Sequence, residues 1–450
     1  MQARSGDRPV WLDRSQSPPL SPPLKTHLQS ILTAALDGVA PARLVDRARA
    51  LPELGESLTA GPLHVLAVGK AASAMTAALL RRPEVTVASA LAVGTHRSPD
   101  LPADVSFLQA GHPYPDHRSV EAGHLARARV AGLSSDDHLL LLISGGASAL
   151  MAAPIPGVSL DDKQEATRAL MLQGADIHEL NALRRHLSAV KGGRLAVACR
   201  ARITTCALSD VVGDDLHVIG SGPGVADPSS WQDVADVLTR RGAWHLMPSS
   251  VARAVEDGVA GRTPDTPKPG DAAIAHAQGA VVGRAADAVA SAAAAAQAAG
   301  FTPVVLPMRV TGEARESALQ WWAQATAAAA TVSGPACVLS SGETTVTVTG
   351  TGRGGRNLEF VLALVEQLAG RPGVVAASLG TDGVDGSSGV AGAWADSGTL
   401  VLGHARGLRP PEAYLAANDS LHYFQPLSQV MATGPTDTNV GDVQILLTHA

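Results

Sequence analysis

LLLLISGGASALM, residues 139–151, sets five consecutive apolar residues before a break at Ser144-Gly145-Gly146 and a helix-compatible run from Ala147. Such an uninterrupted apolar run reads as a strand buried on both faces, the pattern of a parallel sheet covered by helices. The glycine turn leaves backbone N–H groups unpaired at a helix start, where the helix dipole is positive, so the turn is a candidate anion site. The plainer alternative is a tight strand-to-helix turn whose glycines only permit close packing. For a single such turn that alternative is the more frequent.

Working outward, HVLAV at 64–68 reads as a strand entering a turn at Gly69 and Lys70, followed by a helix of small residues from Ala71 to Leu80. A second strand covers Ala88–Gly94, and a third ends in GHPYPD, Gly111–Asp116. Helices are expected through 159–193, with Ser159 as N-cap. Another strand spans 201–208, ending in Ser209-Asp210, and Ile219–Ser229 is too rich in Gly and Pro to be other than a loop. Strands alternating with helices at this spacing imply a parallel sheet whose ligands sit at the C-terminal strand ends. Helical segments within 24–60 are expected to pack on that sheet.

GRTPDTPKPGD, Gly261–Asp271, has linker composition and marks the expected domain boundary. Beyond it come an Ala-rich helix, a helix over about 313–331, the strand ACVLSSGE and an alternating TTVTVTG strand. A Gly/Arg turn and helix follow, and VVAASLG then runs into an acidic glycine loop. The expected organisation is a poorly ordered lead-in over 1–23 and two α/β domains over 24–262 and 263–450.

Composition narrows the function classes. The 450-residue chain is 46% hydrophobic and 17% charged, ample for a large core, and aromatics are only 3%, so that core must be Ala, Val and Leu. A net charge of −6 argues against nucleic acid or an anionic membrane as the main partner, and no apolar run reaches the length of a membrane span. Cys199, Cys206 and Cys337 have neither disulfide-framework nor zinc spacing, which suits buried thiols in a cytoplasmic protein. Only five of the 35 basic residues are lysines, which draws attention to Lys70 beside a glycine turn.

Lys70 stands where an ammonium could reach an anion held by a helix N-terminus; an ordinary surface lysine is the alternative. GTGRGG, Gly350–Gly355, matches the dinucleotide fingerprint G-x-G-x-x-G, but Arg353 and Arg356 suit phosphate or carboxylate clamping better. Asp210, Asp214, Asp382, Asp385, Asp437 and Asp442 lie in glycine-containing loops after strands, the setting of a Mg²⁺–phosphate site. Any one of them alone reads as a turn residue. His112 in GHPYPD reads as structural. P-loop, protein-kinase and nucleophile-elbow motifs are absent.

Taken in order, GKAA (69–72), GHPYPD, LISGGASALM, KGGRLA (191–196), LSDVVGDDLHVIGSGP (208–223), SGET (341–344), GRGGRNLEF (352–360), GTDGVDG (380–386) and GPTDTNVGD (434–442) resemble the class II glycerate 2-kinases, whose C-terminal half is called the MOFRL domain. The resemblance spans about residues 25–449. It implies phosphorylation of D-glycerate to 2-phosphoglycerate by ATP with Mg²⁺ or another divalent metal. It also implies a Rossmann-like parallel sheet, a mixed-sheet MOFRL-type domain and an active site in the cleft between them.

The family's active-site lysine falls on Lys70 and its arginine on Arg356, with Asp210 as a third catalytic candidate. Gly69, Ser144, Gly145, Gly146, Ser148, Lys191, Glu343, Gly354, Gly355 and Asn357 are expected around substrate and nucleotide, and Asp382 and Asp385 at the metal. Which acid holds metal and which accepts the hydroxyl proton stays open. Two departures stand out: Leu358 replaces the Gln usual after Arg-Asn, and SGGAS replaces SGGGSA. Two other readings remain. One is an NAD(P)H-dependent hydroxypyruvate reductase, a label that family members have also carried. The other is a non-catalytic sugar-acid binding protein. D-glycerate is the expected partner, and a homodimer is allowed.

Overall fold

The computed structural model describes residues 22–449 apart from 52, 53, 56, 57, 59, 60 and 212. The chain divides into two compact units, one of Pro41–Gly283 and one of Met1–Ala40 with Arg284–Ala450.

The Pro41–Gly283 unit is built on strands β1 (Leu63–Val68), β2 (Val87–Gly94), β3 (Ser106–Gln109), β4 (His138–Ile143), β5 (Arg202–Leu208) and β6 (Ala277–Gly283). Their order is β3-β2-β1-β4-β5-β6, and every neighbouring pair is parallel. All six residues of β4 are buried, as the apolar run requires. Leu139, Leu141 and Ile143 share a core with Ala122, Ala126 and Val130 of the helix His117–Ala131. Leu140 and Leu142 face the other way, toward Leu44, Met75 and Leu79. Burying each leucine contributes about 2 kcal/mol, so a polar residue anywhere in β4 would be costly.

The strand order reverses between β1 and β4. In a doubly wound sheet that reversal opens a crevice beyond the C-terminal strand ends. Val68 pairs in register with Ile143, which sets Gly69-Lys70 beside Ser144-Gly145-Gly146.

Two expectations about domain limits are corrected. The linker-like Gly261–Asp271 segment lies inside this unit: the Asp265 carboxylate accepts from His186 Nε2 at 2.8 Å, Thr266 is buried, and the chain continues into β6 beside β5. Its Pro and Gly content signals irregular backbone, which here is packed and hydrogen-bonded. The helix Pro22–Asp37 belongs to the second unit, where it packs on the Ala-rich helix Ala285–Ala298. Thr438 Oγ1 donates to Val39 O at 2.6 Å just beyond that helix. Leu24, Leu28, Ile31, Leu32 and Ala35 do form its buried stripe, but helical periodicity specifies a face and not its partner. Residues 1–21 of the expected lead-in lie outside the described residues.

The second unit carries β7 (Thr302–Val305), β8 (Val310–Glu313), β9 (Ala336–Thr345), β10 (Val374–Gly380), β11 (Gly392–Asp396), β12 (Val430–Met431) and β13 (Asp442–Thr448). The order is β12-β11-β10-β13-β9-β7, with β8 also on β9. Pairs β10–β11, β10–β13, β11–β12 and β13–β9 are antiparallel, and β7–β9 and β8–β9 are parallel. The sheet is therefore mixed. The separate TTVTVTG strand is not formed: β9 runs unbroken to Thr345, and residues 346–355 are irregular.

Candidate active site

The two switch-point turns are knitted together. Lys70 N–H donates to Gly145 O at 2.9 Å, Ser144 N–H to Val68 O at 3.0 Å, and Ala71 N–H to Ser144 Oγ at 3.1 Å. Gly69 has φ +136°, and a Cβ there would lie 2.0 Å from Ser144 Oγ. Gly69→Ala should therefore lower stability by at least the ~1–3 kcal/mol of a strained backbone. An unchanged urea midpoint would contradict the close approach. Gly146 sits at φ +84°, and a Cβ on it would lie 3.0 Å from His112 Cδ2 and 3.4 Å from Lys70 Cγ. The Lys70 side chain and the His112 ring thus flank Gly146. Among the described residues no acceptor takes the N–H of Gly145 or Gly146. The turn keeps donors available, beside a cation.

Behind it Lys191 is almost wholly enclosed, at 1% exposure. Its Nζ donates to Ser148 O at 2.7 Å and to Ser148 Oγ at 3.2 Å. Ser148 Oγ meets Ser221 Oγ at 2.9 Å, and Ser221 donates on to Asn181 Oδ1 at 3.4 Å. Burial holds the Lys191 ammonium well below its usual range, and the like charges of Lys163 and Arg184 add to the effect. Gly69, Lys70, Ser144, Gly145, Gly146, Ser148 and Lys191 thus converge on one sheet edge. Asp210 follows β5 at the same edge.

Lys163 is also enclosed, its Nζ donating to Leu187 O at 3.2 Å. Burial, then Arg184 and Arg194, push its pKa from 10.5 down to about 7. Its folded pKa lies below the unfolded one, so between them the unfolded chain binds more protons, and stability from this group rises as pH climbs from about 7 toward 10.5. Lys163→Met should remove that rise. Urea midpoints of the variant and the parent at about pH 7 and about pH 9.5 check it; parallel pH dependences would contradict it.

In the second unit, Arg356 opens the helix Arg356–Leu362. Its Nε and Nη2 donate to Asp442 Oδ2 and Oδ1 at 2.6 and 2.9 Å, and its Nη1 lies 3.1 Å from Glu343 Oε1. Burial alone would lower the guanidinium pKa, but Asp442 and then Glu343 hold it above its ordinary value. Sheet register produces this meeting, since Asp442 pairs with both Gly342 and Gly380. Asn357 Nδ2 donates to Asp442 Oδ1 at 3.0 Å, and Asn357 Oδ1 accepts from Ser378 Oγ at 2.5 Å.

Asp385 lies beneath the helix start. Its carboxylate accepts from the N–H groups of Asn357 at 3.0 Å and Leu358 at 2.8 Å. Burial pushes its carboxyl up to about 7, against those two donors. Both oxygens are spoken for, so Asp385 anchors the helix and is poorly placed as a metal ligand. Asp382, in the same loop, accepts from Val384 N–H at 3.1 Å. Leu358 is fully buried, so the position usually held by Gln faces the core here.

GTGRGG is not a dinucleotide cradle. Thr349 and Gly350 donate their N–H groups to Asn418 Oδ1, Gly352 to Ala417 O, Arg353 to Asp419 Oδ1 and Gly354 to Ser387 Oγ. A Cβ at Gly350 would lie 2.2 Å from Ala417 O. Gly350 and Gly352 admit a neighbouring protein segment and give it their donors, and Gly354 gives its donor to Ser387. Strands β9 and β10 on either side are separated by β13, so no βαβ unit exists there. Gly354 adjoins the Arg356 cluster with its N–H given to Ser387 Oγ, while among the described residues no acceptor takes the N–H of Gly355. In the other unit, the turn after β1 has no second glycine, and β2 ends in Gly94, where a ribose-binding acid would stand.

Sequence reasoning left His112 as structural and Asp442 as one loop acid among several. Ser221 lies within the LSDVVGDDLHVIGSGP stretch without being singled out there, and Asn181, which completes its hydrogen-bond chain, has no sequence signal beyond its nearness to KGGRLA.

Residues 27–256 match the family described as a domain of unknown function (DUF4147), and residues 336–442 match the MOFRL family. A protein of Agrobacterium vitis bearing the provisional name hydroxypyruvate reductase is 40% identical over 86% of this chain and 87% of its own length. The D-glycerate 2-kinase of Thermotoga maritima is 34% identical over 88% of this chain and 93% of its own length. The crystal structure of the Thermotoga maritima glycerate kinase superposes with a TM-score of 0.82 at 33% identity, covering 94% of this chain and 99% of that one. The parallel and mixed sheets, the ordered motifs and these relatives agree: the chain belongs to the glycerate 2-kinase family, with its DUF4147 and MOFRL parts.

Proposed function

We propose that this chain is a glycerate 2-kinase, transferring the γ-phosphoryl group of ATP to the 2-hydroxyl of D-glycerate. The observation that carries the reading is the switch-point turn, with Lys70 lying across Gly146 and the N–H groups of Gly145 and Gly146 lacking a protein acceptor. Phosphoryl transfer needs alignment and charge neutralisation more than covalent help. In this reading the turn's N–H groups receive phosphoryl oxygens, and the Lys70 ammonium stabilises the charge shared among them in the transition state. The oxygen–phosphorus bond to glycerate forms as the bond to ADP breaks, and the hydroxyl proton passes to a carboxylate, for which Asp210 is the candidate. In its own unit Arg356, oriented by Asp442, is a guanidinium suited to a carboxylate or a phosphate.

A divalent cation carried on nucleotide phosphates needs only one or two carboxylates. Among the described residues no three His, Cys, Asp or Glu side chains gather to hold a metal by themselves. Asp214, in the same loop as Asp210, does fit: its Oδ1 is buried without a hydrogen-bond partner, on backbone at φ +56°. Asp214 would hold the cation, which would offset phosphate charge, leaving Asp210 to accept the proton.

The hydroxypyruvate reductase name borne by two Agrobacterium vitis relatives defines the competing arm of the test. ADP release should require D-glycerate, ATP and Mg²⁺ together. Oxidation of NADH or NADPH by hydroxypyruvate, without glycerate-dependent ADP release, would overturn the reading.

A further inference from the structure

On the helix Ile177–His186, two adjacent arginines behave differently. Arg185 is buried and committed: its guanidinium lies 2.8 Å from Asp227 and donates to His217 O at 3.2 Å and Ser229 Oγ at 3.0 Å. Arg184 is half-buried and makes no hydrogen bond or ion pair with any described residue. It stands one turn beyond Asn181, which accepts from Ser221 in the chain leading through Ser148 to Lys191. It also stands one turn before Leu187, whose carbonyl receives Lys163 Nζ. The Arg184 turn of the helix therefore adjoins two enclosed lysines, Lys163 held on Leu187 O and Lys191 held on Ser148. Buried or half-buried charges in proteins are normally paired. A guanidinium left unpaired beside two enclosed lysines, whose charged forms burial disfavours, is an arrangement that an anion would complete.

We infer that Arg184 is a ligand-binding residue: with Lys191 behind it, its guanidinium receives an anionic oxygen group of the bound ligand, either the glycerate carboxylate or a phosphate of the nucleotide. The inference deepens the kinase reading and takes its ligands from it. A planar guanidinium with no other partner suits two-point recognition of either group. Ser148 ties this place to the switch-point turn, because its helix follows directly from Gly146 and its carbonyl and hydroxyl both hold Lys191.

The test uses the full chain. Phenylglyoxal modification is followed by peptide mapping, with tripolyphosphate or D-glycerate added separately. Modification of Arg184 should slow on the order of 5-fold or more with one of the two probes, while the paired Arg185 stays unreactive. Tripolyphosphate protection assigns the site to the nucleotide, and D-glycerate protection to the carboxylate. Arg184→Gln should then raise KM for the matching substrate on the order of 10- to 100-fold, leaving the other KM near its parent value. Protection by neither probe, or unchanged KM for both substrates in a folded Arg184→Gln protein, overturns the inference. If Arg184→Gln does not fold, the labelling decides. Protection in a protein without kinase activity keeps the anion site and sinks only the functional reading.

Discussion

Lys70→Ala is expected to lower kcat by about 10²–10³-fold, the usual effect of removing one preorganised charge from a developing transition state, while the fold survives. The backbone of Lys70 does the structural work, through its N–H bond to Gly145 O, and alanine keeps that bond. Its side chain runs over Gly146 and is only half-buried, so truncation leaves no large cavity. Lys70→Arg should recover little, since a guanidinium fork does not reproduce a compact ammonium beside a glycine turn. Steady-state kinetics paired with thermal denaturation separates the two roles. Near-normal turnover in Lys70→Ala would remove it from the chemistry.

The second large effect is at Asp442, which is 1% exposed and grips Arg356 through both carboxylate oxygens. Asp442→Ala strands a mostly buried guanidinium and removes an acceptor from Asn357 Nδ2. Breaking such a pair costs about 3–5 kcal/mol. The lower end is expected, because the Arg356 side chain retains 29% exposure and Glu343 remains on its other side. Activity should fall as well, because Arg356 loses its orientation. In the double variant Arg356→Ala/Asp442→Ala the stability losses should sum to clearly less than the two single losses added, as residues in direct contact require. Simple additivity in urea titrations would contradict the pairing.

The two units differ in how legible they were. In the Pro41–Gly283 unit, the apolar run 139–143 and the glycines after it specified strand, turn and helix from local sequence. Parallel pairing then brought Lys70 and Gly146 together without further information. The Arg356 cluster was harder. Arg356, Asn357, Glu343 and Asp385 were each visible, yet Asp442 as the partner of Arg356 depends on antiparallel register across β9, β13 and β10. Long-range register is weakly written in a single sequence. GTGRGG misled for a related reason: its glycines match a nucleotide fingerprint, but tertiary packing gives them to Ala417, Asn418 and Asp419. The Gly261–Asp271 segment has the composition of a linker, although ion pairing through Asp265 ties it into the core of its unit.

Proton-coupled phosphorus NMR of the reaction mixture tests the central claim most directly. The chain, D-glycerate, ATP and Mg²⁺ should give ADP and one new phosphomonoester signal, split as a doublet by the single hydrogen on C2. A triplet from the two hydrogens on C3, or no new phosphomonoester while hydroxypyruvate oxidises NADH, would contradict a glycerate 2-kinase.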